Sequence, residues 1–484
     1  MPTVGIVGGG ILGTTLALRL AQAGLDVELI ERAPSLGGLA DRTQLGGFDI
    51  DRFYHVIVPS DARMHALVDE LGLQDEMDQA PVGVGFFVDG QMYPFNGIGD
   101  FLKFPPLSFL SRVRLAKFVV ACQLRSKYDD LEDKPLIDWL TKLSGPKVTE
   151  RIWKPLLASR FDGNYADLPA TYLWSRTRRM KSARSGKGGA EEFGALRGGH
   201  QRLIEAAAKA AQDAGATIST GVPVTGLLLE DGEVRGITTE DGERRYDLVI
   251  PTLQPPALKF LLPPELQPLL DAYPQRYLGV VCLILLVKES LTEHYSVNIC
   301  DPTPITTIVE TSHVVGTAHT GGNRLVYVPR YCDASSETFG LSDQEVYDRF
   351  TEMVAKLSPQ FSHEDVIDWT VQRAATVEPF HAKGVHPREA PRWPSLPGGV
   401  AQPDGPPISP AAKPEGPPIR DGLRPEGPPI KGLALASAAQ IYPRLLNGES
   451  VVQLAEEVAV DVAGQLGAPR PVPVPAATPG GAPA

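Results

Sequence analysis

Thr3-Val4-Gly5-Ile6-Val7 runs directly into Gly8-Gly9-Gly10-Ile11-Leu12-Gly13, and this junction decides the fold. The first five residues read as a short apolar strand. Thr14 to Ala23 reads as a helix that Gly24 stops, and Val27-Glu28-Leu29-Ile30 reads as a second strand ending in Glu31. Together they form a strand–helix–strand unit with G-x-G-x-x-G at its first turn and an acid at the tip of its second strand. Gly8 permits the tight turn, Gly10 lets a pyrophosphate approach the backbone, and Gly13 lets helix and strand pack closely. The phosphates then meet free N–H groups and the positive end of the helix dipole, where Ile11 and Leu12 open the first turn. The Glu31 carboxylate is placed to hold both ribose hydroxyls. A glycine-rich turn in an ordinary α/β domain leaves Glu31 unexplained, so a dinucleotide site is expected.

Downstream, Glu31-Arg32 continues into Ala33-Pro34-Ser35-Leu36-Gly37-Gly38-Leu39-Ala40, a basic residue followed by a Gly-Gly pair. This resembles the extended fingerprint of the FAD-binding amine oxidase-like superfamily, which includes protoporphyrinogen oxidase, the carotenoid desaturases, monoamine oxidases and, more distantly, UDP-galactopyranose mutase. Three further stretches match. Phe48-Asp49-Ile50-Asp51-Arg52-Phe53-Tyr54-His55 looks like the segment that lies against the flavin. Thr217 to Val224, then Leu227 to Val249, reads as strand, hairpin and strand. Gly432-Leu433-Ala434-Leu435-Ala436-Ser437-Ala438 resembles the closing flavin motif. The resemblance implies one non-covalent FAD held by Gly8, Gly10, Ile11, Leu12, Gly13, Glu31, Arg32, Gly37, Gly38 and Leu39, with His55, Val224, Ala438 and Asn447 as further contacts. It covers most of residues 1–390 and 431–465, and its motifs are specific for the cofactor and the fold rather than the substrate.

The implied fold class is α/β, a Rossmann-like FAD-binding domain of the GR2 type interleaved with an α+β substrate domain. The chain order assigns residues 1–60, 195–255 and 431–465 to the first, and 61–194 and 256–390 to the second. Helical signals fall at Met64 to Leu71, Val113 to Leu124 and Leu136 to Leu143; strand-like runs fall at Val280 to Val287 and Leu325 to Val328. Residues 391–430 break the pattern. Pro403-Asp404-Gly405-Pro406-Pro407-Ile408 recurs at Pro414 and Pro425 with Glu for Asp, a period of eleven residues. Proline at this density removes backbone donors and favours polyproline II, so an inserted segment outside the core is expected; a solvated loop and a docking peptide are the two readings. The tail from residue 466 is similarly rich in Pro, Ala and Gly and is expected to be disordered.

A chain of 484 residues at 43% hydrophobic can bury a large core in two domains. Its net charge of −12 argues against general nucleic-acid binding. Cys122, Cys282, Cys300 and Cys332 show neither paired nor metal-ligand spacing, and read as buried thiols in a reducing cytoplasm. No His/Cys/Asp group has metal-ligand spacing, so no metal is expected. The nucleotide fold begins at once, which leaves no room for a signal peptide. The longest apolar run, Leu278 to Val287, is too short to span a bilayer. A monomer or homodimer acting on a small molecule is expected.

FAD carries the hard chemical step, accepting hydride, while the protein positions and polarises. His55 is a candidate for orienting substrate or moving a proton; a histidine held by hydrogen bonds within the flavin cleft is the alternative. Tyr442 follows the closing motif and is a candidate to lie over the flavin, or to pack. Arg373 is a candidate substrate-side cation. Two stretches oppose the acidic balance. Phe101 to Tyr128 holds six basic residues and no acid, interleaved with phenylalanines and leucines, the composition of a helix at an anionic membrane interface. Leu168 to Ala190 holds six more, Arg176 and Arg179 among them, and its serines and glycines suggest a mobile loop able to clamp phosphate or carboxylate. A solvated face is the plain alternative for both. Three function classes remain: a flavin oxidoreductase drawing hydride from an apolar, isoprenoid or tetrapyrrole substrate; a non-redox mutase of UDP-sugar type; and a prenyl-binding carrier of the GDP dissociation inhibitor type. The intact fingerprint ranks the oxidoreductase first.

Overall fold

The strand Thr3–Val7 lies between Asp26–Ile30 and Leu248–Pro251, and Thr217–Ser219 extends the sheet beyond Asp26–Ile30; every pairing is parallel. These coordinates belong to a computed structural model that describes residues 1–182, 191–383 and 430–471. The helix Ile11–Gln22 crosses between the first two strands, and everything in it from Leu12 to Ala21 is buried. A helix covered on all sides needs neighbours on all sides, and this one packs on Gln201–Asp213 and on the closing helix Gly448–Gln465. One hydrophobic core therefore gathers Leu16, Val27, Leu203, Ile250 and Val458 from stretches far apart in the chain. Gly13 is required by close approach: a Cβ there would sit 1.9 Å from the Gly8 carbonyl oxygen.

Arg19 is buried within this helix and finds two carboxylates, Glu70 at 2.7 Å and Glu456 at 3.2 Å. It thereby ties the first helix to Ala62–Glu70 and to the closing helix.

A second sheet of seven strands runs in the order Val366–Pro379, Tyr277–Val287, Arg324–Cys332, Thr307–Glu310, Ser296–Ile299, Val84–Val88, Gln91–Pro94. Tyr277–Val287 has antiparallel neighbours on both edges and every residue buried, which is why its sequence is a continuous apolar run rather than an alternation. Each fully buried Leu or Ile there contributes about 1.5–3 kcal/mol. Beside this sheet, Phe109–Leu124, Leu136–Ser144 and Thr171–Ser182 form a helical layer around Phe118, Trp139 and Trp174. The four cysteines are free and buried.

The structure corrects one expectation. The stretch 168–190 is not a loop throughout: it is helical over Thr171–Ser182. Leu173, Trp174 and Thr177 fall on one face and are buried, and that apolar anchorage outweighs the local density of charge. The loop signals, Gly186 and Gly188-Gly189, lie outside the described residues, as do Arg184 and Lys187, the proline repeats through residue 429, and the tail from 472. The chain returns at Lys431, whose carbonyl accepts from the Val234 N–H, and Gly432 bonds to Val249 at the edge of the parallel sheet.

Candidate functional site

The glycine turn, the second strand tip and the Gly-Gly pair come together in one cradle. Glu31 accepts from the Gly9 N–H at 2.7 Å and from the Ala33 N–H at 2.8 Å, so its carboxylate is fixed at the mouth of the turn. The Gly37 N–H donates to the Gly9 carbonyl at 2.9 Å, and Gln201 at the start of its helix donates to the Leu36 carbonyl, also at 2.9 Å. Gly37 sits at φ +147° and a Cβ there would strike Asp41 and Gln201 at 2.7 Å. Above Gly10, by contrast, a Cβ would meet only the Gly37 oxygen, 3.9 Å away. The helix behind this open floor starts at Ile11 with Gly10 as its cap, and neither a capping side chain nor an acid in its first turn occupies its terminal N–H groups, which leaves them for a ligand. An open floor, unsatisfied donors and a fixed carboxylate fit a pyrophosphate with its ribose.

The other expected contacts distribute around this cradle. Ile11 is half-buried at the turn, whereas the Leu12 side chain points into the core, leaving only its backbone for a ligand. Arg32 and Leu39 are exposed at the rim. Residues 221–224 run beside Glu31, because Val222 and Gly221 donate to the Glu31 and Ala33 carbonyls; Val224 opens the next strand. Ala438 lies in the closing turn, which Ala436 anchors on the Pro251 carbonyl, next to Thr252, whose hydroxyl reaches the Val7 and Gly8 carbonyls. Asn447 caps the closing helix by accepting from the Ser450 N–H at 2.9 Å.

His55 meets two partners that sequence spacing does not reveal. Its ring centroid lies 4.7 Å from that of His200, and the Nδ1 atom of each is 4.0 Å from the Asp51 carboxylate. Among the described residues, these three ligand-type groups fall within 4.8 Å of one another. Neither Nδ1 has a hydrogen-bond partner among the described residues. Burial raises Asp51 to about 7, offset in part by its bond from the His200 N–H. Burial also lowers His55 to about 4 and drives His200 well below its ordinary range. Near neutrality the imidazoles are therefore uncharged, and the one proton in play belongs to Asp51. The only local signal in the sequence is that Asp51 and His55 are four residues apart, with His200 following the Gly198-Gly199 turn.

A cleft opens beside the closing motif, walled by Phe161, Leu168, Pro169, Phe380, Ile441 and Tyr442, with Tyr172, Ser175, Glu378, His381 and Arg444 as its polar side chains, the last 3.7 Å from Glu457. The Tyr442 hydroxyl lies 2.7 Å from that of Thr171, and its ring lies 4.7 Å from His381. Among the described residues neither ring nitrogen of His381 has a hydrogen-bond partner, and burial lowers it to about 4. Glu378 pairs with Arg160 and lies 3.6 Å from Arg176. Burial alone would raise the Glu378 carboxyl, but the two guanidinium groups bring it below its ordinary value. Arg160 stacks 3.6 Å over the Tyr331 ring. Arg176 thus reaches the cleft through Glu378. Arg179 is held elsewhere, 3.1 Å from Asp61, and Arg373 pairs with Asp343 at 2.5 Å and with the Leu341 carbonyl. Arg160, Glu378 and His381 carry no motif and emerge only from the fold.

The sequence model of the flavin-containing amine oxidoreductases matches residues 13–399. The chain belongs to that family and is a flavin-dependent oxidoreductase. A carotenoid 3,4-desaturase of Haloarcula japonica is 50% identical over 48 residues, a match that takes in 10% of either chain. Among solved structures, an oxidoreductase from Methanosarcina mazei is similar at a TM-score of 0.68 and 16% identity, over 94% of this chain and 99% of that one. A putrescine oxidase bound to putrescine gives 0.69 at 13% identity, over 96% and 99%. A reduced UDP-galactopyranose mutase gives 0.60 at 17% identity, over 79% and 84%. At such identities the structures bear on the fold alone.

Proposed function

We propose that the chain holds FAD non-covalently and oxidises an apolar substrate at a C–H bond within the cleft walled by Phe161, Phe380, Ile441 and Tyr442. The observation that carries this reading is the cradle: Glu31, fixed by the Gly9 and Ala33 N–H groups, stands beside an open backbone floor at a bare helix terminus. When bound, FAD would supply the hydride acceptor. Glu31 would hold the ribose, Gly10 and Gly38 would face the phosphates, and the segments of His55 and Ala438 would flank the ring system. Non-covalent retention is supported by the thiols: burial pushes Cys122 and Cys300 up to about 12, far from the thiolate form.

The residues of the chain then divide the remaining work. Phenylalanine and leucine walls exclude water and favour an apolar substrate. Asp51, with neutral His55 and His200 on either side, holds a proton that can leave or return near neutral pH. The halved net charge around Glu378, two guanidiniums against one carboxylate, leaves one positive charge for a polar end of the substrate. The desaturase similarity favours an isoprenoid-like chain. The test is anaerobic bleaching of the flavin's visible absorption by isoprenoid, tetrapyrrole, amine and UDP-sugar candidates in turn. Bleaching by an isoprenoid or tetrapyrrole is expected. No bleaching by any of them, with UDP-galactopyranose isomerised by the reduced protein, would replace this reading with the mutase.

A further inference from the structure

Twelve large apolar side chains are exposed among the described residues, and eight of them fall between Ile98 and Leu124. The helix Phe109–Leu124 carries most of these. At about 100° per residue, its exposed Phe109, Leu110, Val113, Val120 and Leu124 share one sector of roughly 100°. Leu115, Phe118 and Cys122, which are buried, face the opposite way. The inner face packs on Leu136–Ser144 and Thr171–Ser182. The outer face is as apolar as the inner one, and nothing in the chain's described residues covers it: Phe109 is 71% and Leu124 81% exposed. The preceding helix, Ile98–Lys103, adds Ile98 and Leu102 to the same exposed set.

Charge selects the occupant. The chain carries −12 overall, yet Phe101 to Tyr128 contains six basic residues and no acid, and Lys103, Arg114, Lys117 and Lys127 among them are exposed. On the same helix Arg114 borders the apolar sector, and Lys117 falls within it between Leu110 and Leu124, its long stem able to lift the charge out of the apolar face. Cations bordering an exposed apolar face match an anionic bilayer, where acyl chains take the side chains and phosphates take the charges. Among the described residues no helix is long and apolar enough to cross a membrane, and the contact inferred here is one of lying on the surface. We infer that the outer face of Phe109–Leu124, with Ile98 and Leu102, docks on an anionic lipid bilayer. The docked helix is also next to the cleft: Gln123 donates to the Thr177 carbonyl and Arg178 to the Arg125 carbonyl, so Thr171–Ser182, which supplies Tyr172 and Ser175 to the cleft, rides directly on it. A substrate dissolved in the lipid would enter from that side. This part of the inference rests on the proposed apolar substrate; the docking itself does not.

Flotation of the flavin-loaded, full-length protein tests it, using phosphatidylcholine vesicles with and without phosphatidylglycerol. The protein is expected to float with the anionic vesicles at low salt and to be released at high salt. Lys103→Gln/Arg114→Gln/Lys117→Gln should weaken partitioning on the order of 100-fold. Phe109→Ser/Leu110→Ser/Val120→Ser should abolish it while keeping flavin content and melting temperature, since all three side chains are exposed. Absence of flotation at low salt, or undiminished flotation of the serine variant, overturns the inference. So does a dimer in light scattering that the serine variant dissolves while wild type fails to float, which would make the face a contact between copies. Substrate bleaching measured in detergent is a separate readout, so failure of the oxidation reading leaves the flotation result standing.

Discussion

The imidazoles of His55 and His200 face each other at 4.7 Å and share the carboxylate of Asp51, 4.0 Å from each Nδ1. Their linkages to folding oppose one another. Asp51 rises from 3.8 to about 7 on folding, so it stabilises below pH 4 and that stability is lost as pH climbs to 7. His55 falls from 6.5 to about 4, so its stability is full above 6.5 and lost as pH drops to 4. The Asp51 and His55 effects are each on the order of 3–4 kcal/mol; His200, which burial also lowers, adds to the histidine side, so Asp51 offsets only part of the acid sensitivity of the pair.

Removing one partner should expose the other. Asp51→Asn is expected to fall further below wild type on going from neutral pH to acid, and His55→Gln to gain on wild type over the same range. Urea unfolding across this range checks both, and parallel profiles for the two variants would count against the assignment.

Glu31→Gln should weaken FAD retention by roughly 1.5–3 kcal/mol, the worth of a charge-assisted hydrogen bond, or about ten- to 150-fold in Kd. Titrating deflavinated protein with FAD measures this. Unchanged affinity would remove Glu31 from the ribose site.

Glu378→Gln leaves Arg160 and Arg176 facing each other without their shared carboxylate. Breaking a buried pair in this way costs about 3–5 kcal/mol, so a markedly lower melting temperature is expected, with a partial return in Glu378→Gln/Arg160→Met. A melting curve coincident with wild type would show that the cluster is solvated.

Arg19→Leu removes the cation between Glu70 and Glu456 and should cost a similar 3–5 kcal/mol. Chemical denaturation reads it directly, and a variant as stable as wild type would mean the two carboxylates find other partners.

What could be read in the chain beforehand was local. Gly8 to Gly13, Glu31 and Gly37-Gly38 announce the cradle because turn, dipole and ribose carboxylate are all specified within about thirty residues. The wholly buried strand Tyr277–Val287 shows as an unbroken apolar run. Of the cleft only Tyr442 stands out, because it follows the closing motif; Arg160, Glu378 and His381 lie far from it in the chain and each looks ordinary in its own stretch. The helix Thr171–Ser182 does not show either: the serines and glycines at the end of the stretch suggest a loop, while Leu173 and Trp174 anchor a helix in a core assembled from elsewhere. The same holds for His200, whose neighbour Asp51 is brought to it across two separate strand pairs.

The strand Thr3–Val7 has one neighbour nearby in the chain and the other at Leu248–Pro251. At ribosomal speeds of about 5–20 residues per second, that second neighbour emerges roughly 12–50 s after the first strand. The closing helix Gly448–Gln465, which covers the first helix, emerges later still. During that interval the nascent chain presents a strand edge and an uncovered apolar helix, surfaces that chaperones hold and that aggregate when unattended. Cofactor loading is thus deferred until residues 430–465 have emerged, and the supply of flavin to this protein meets a chain whose closing segment is already made.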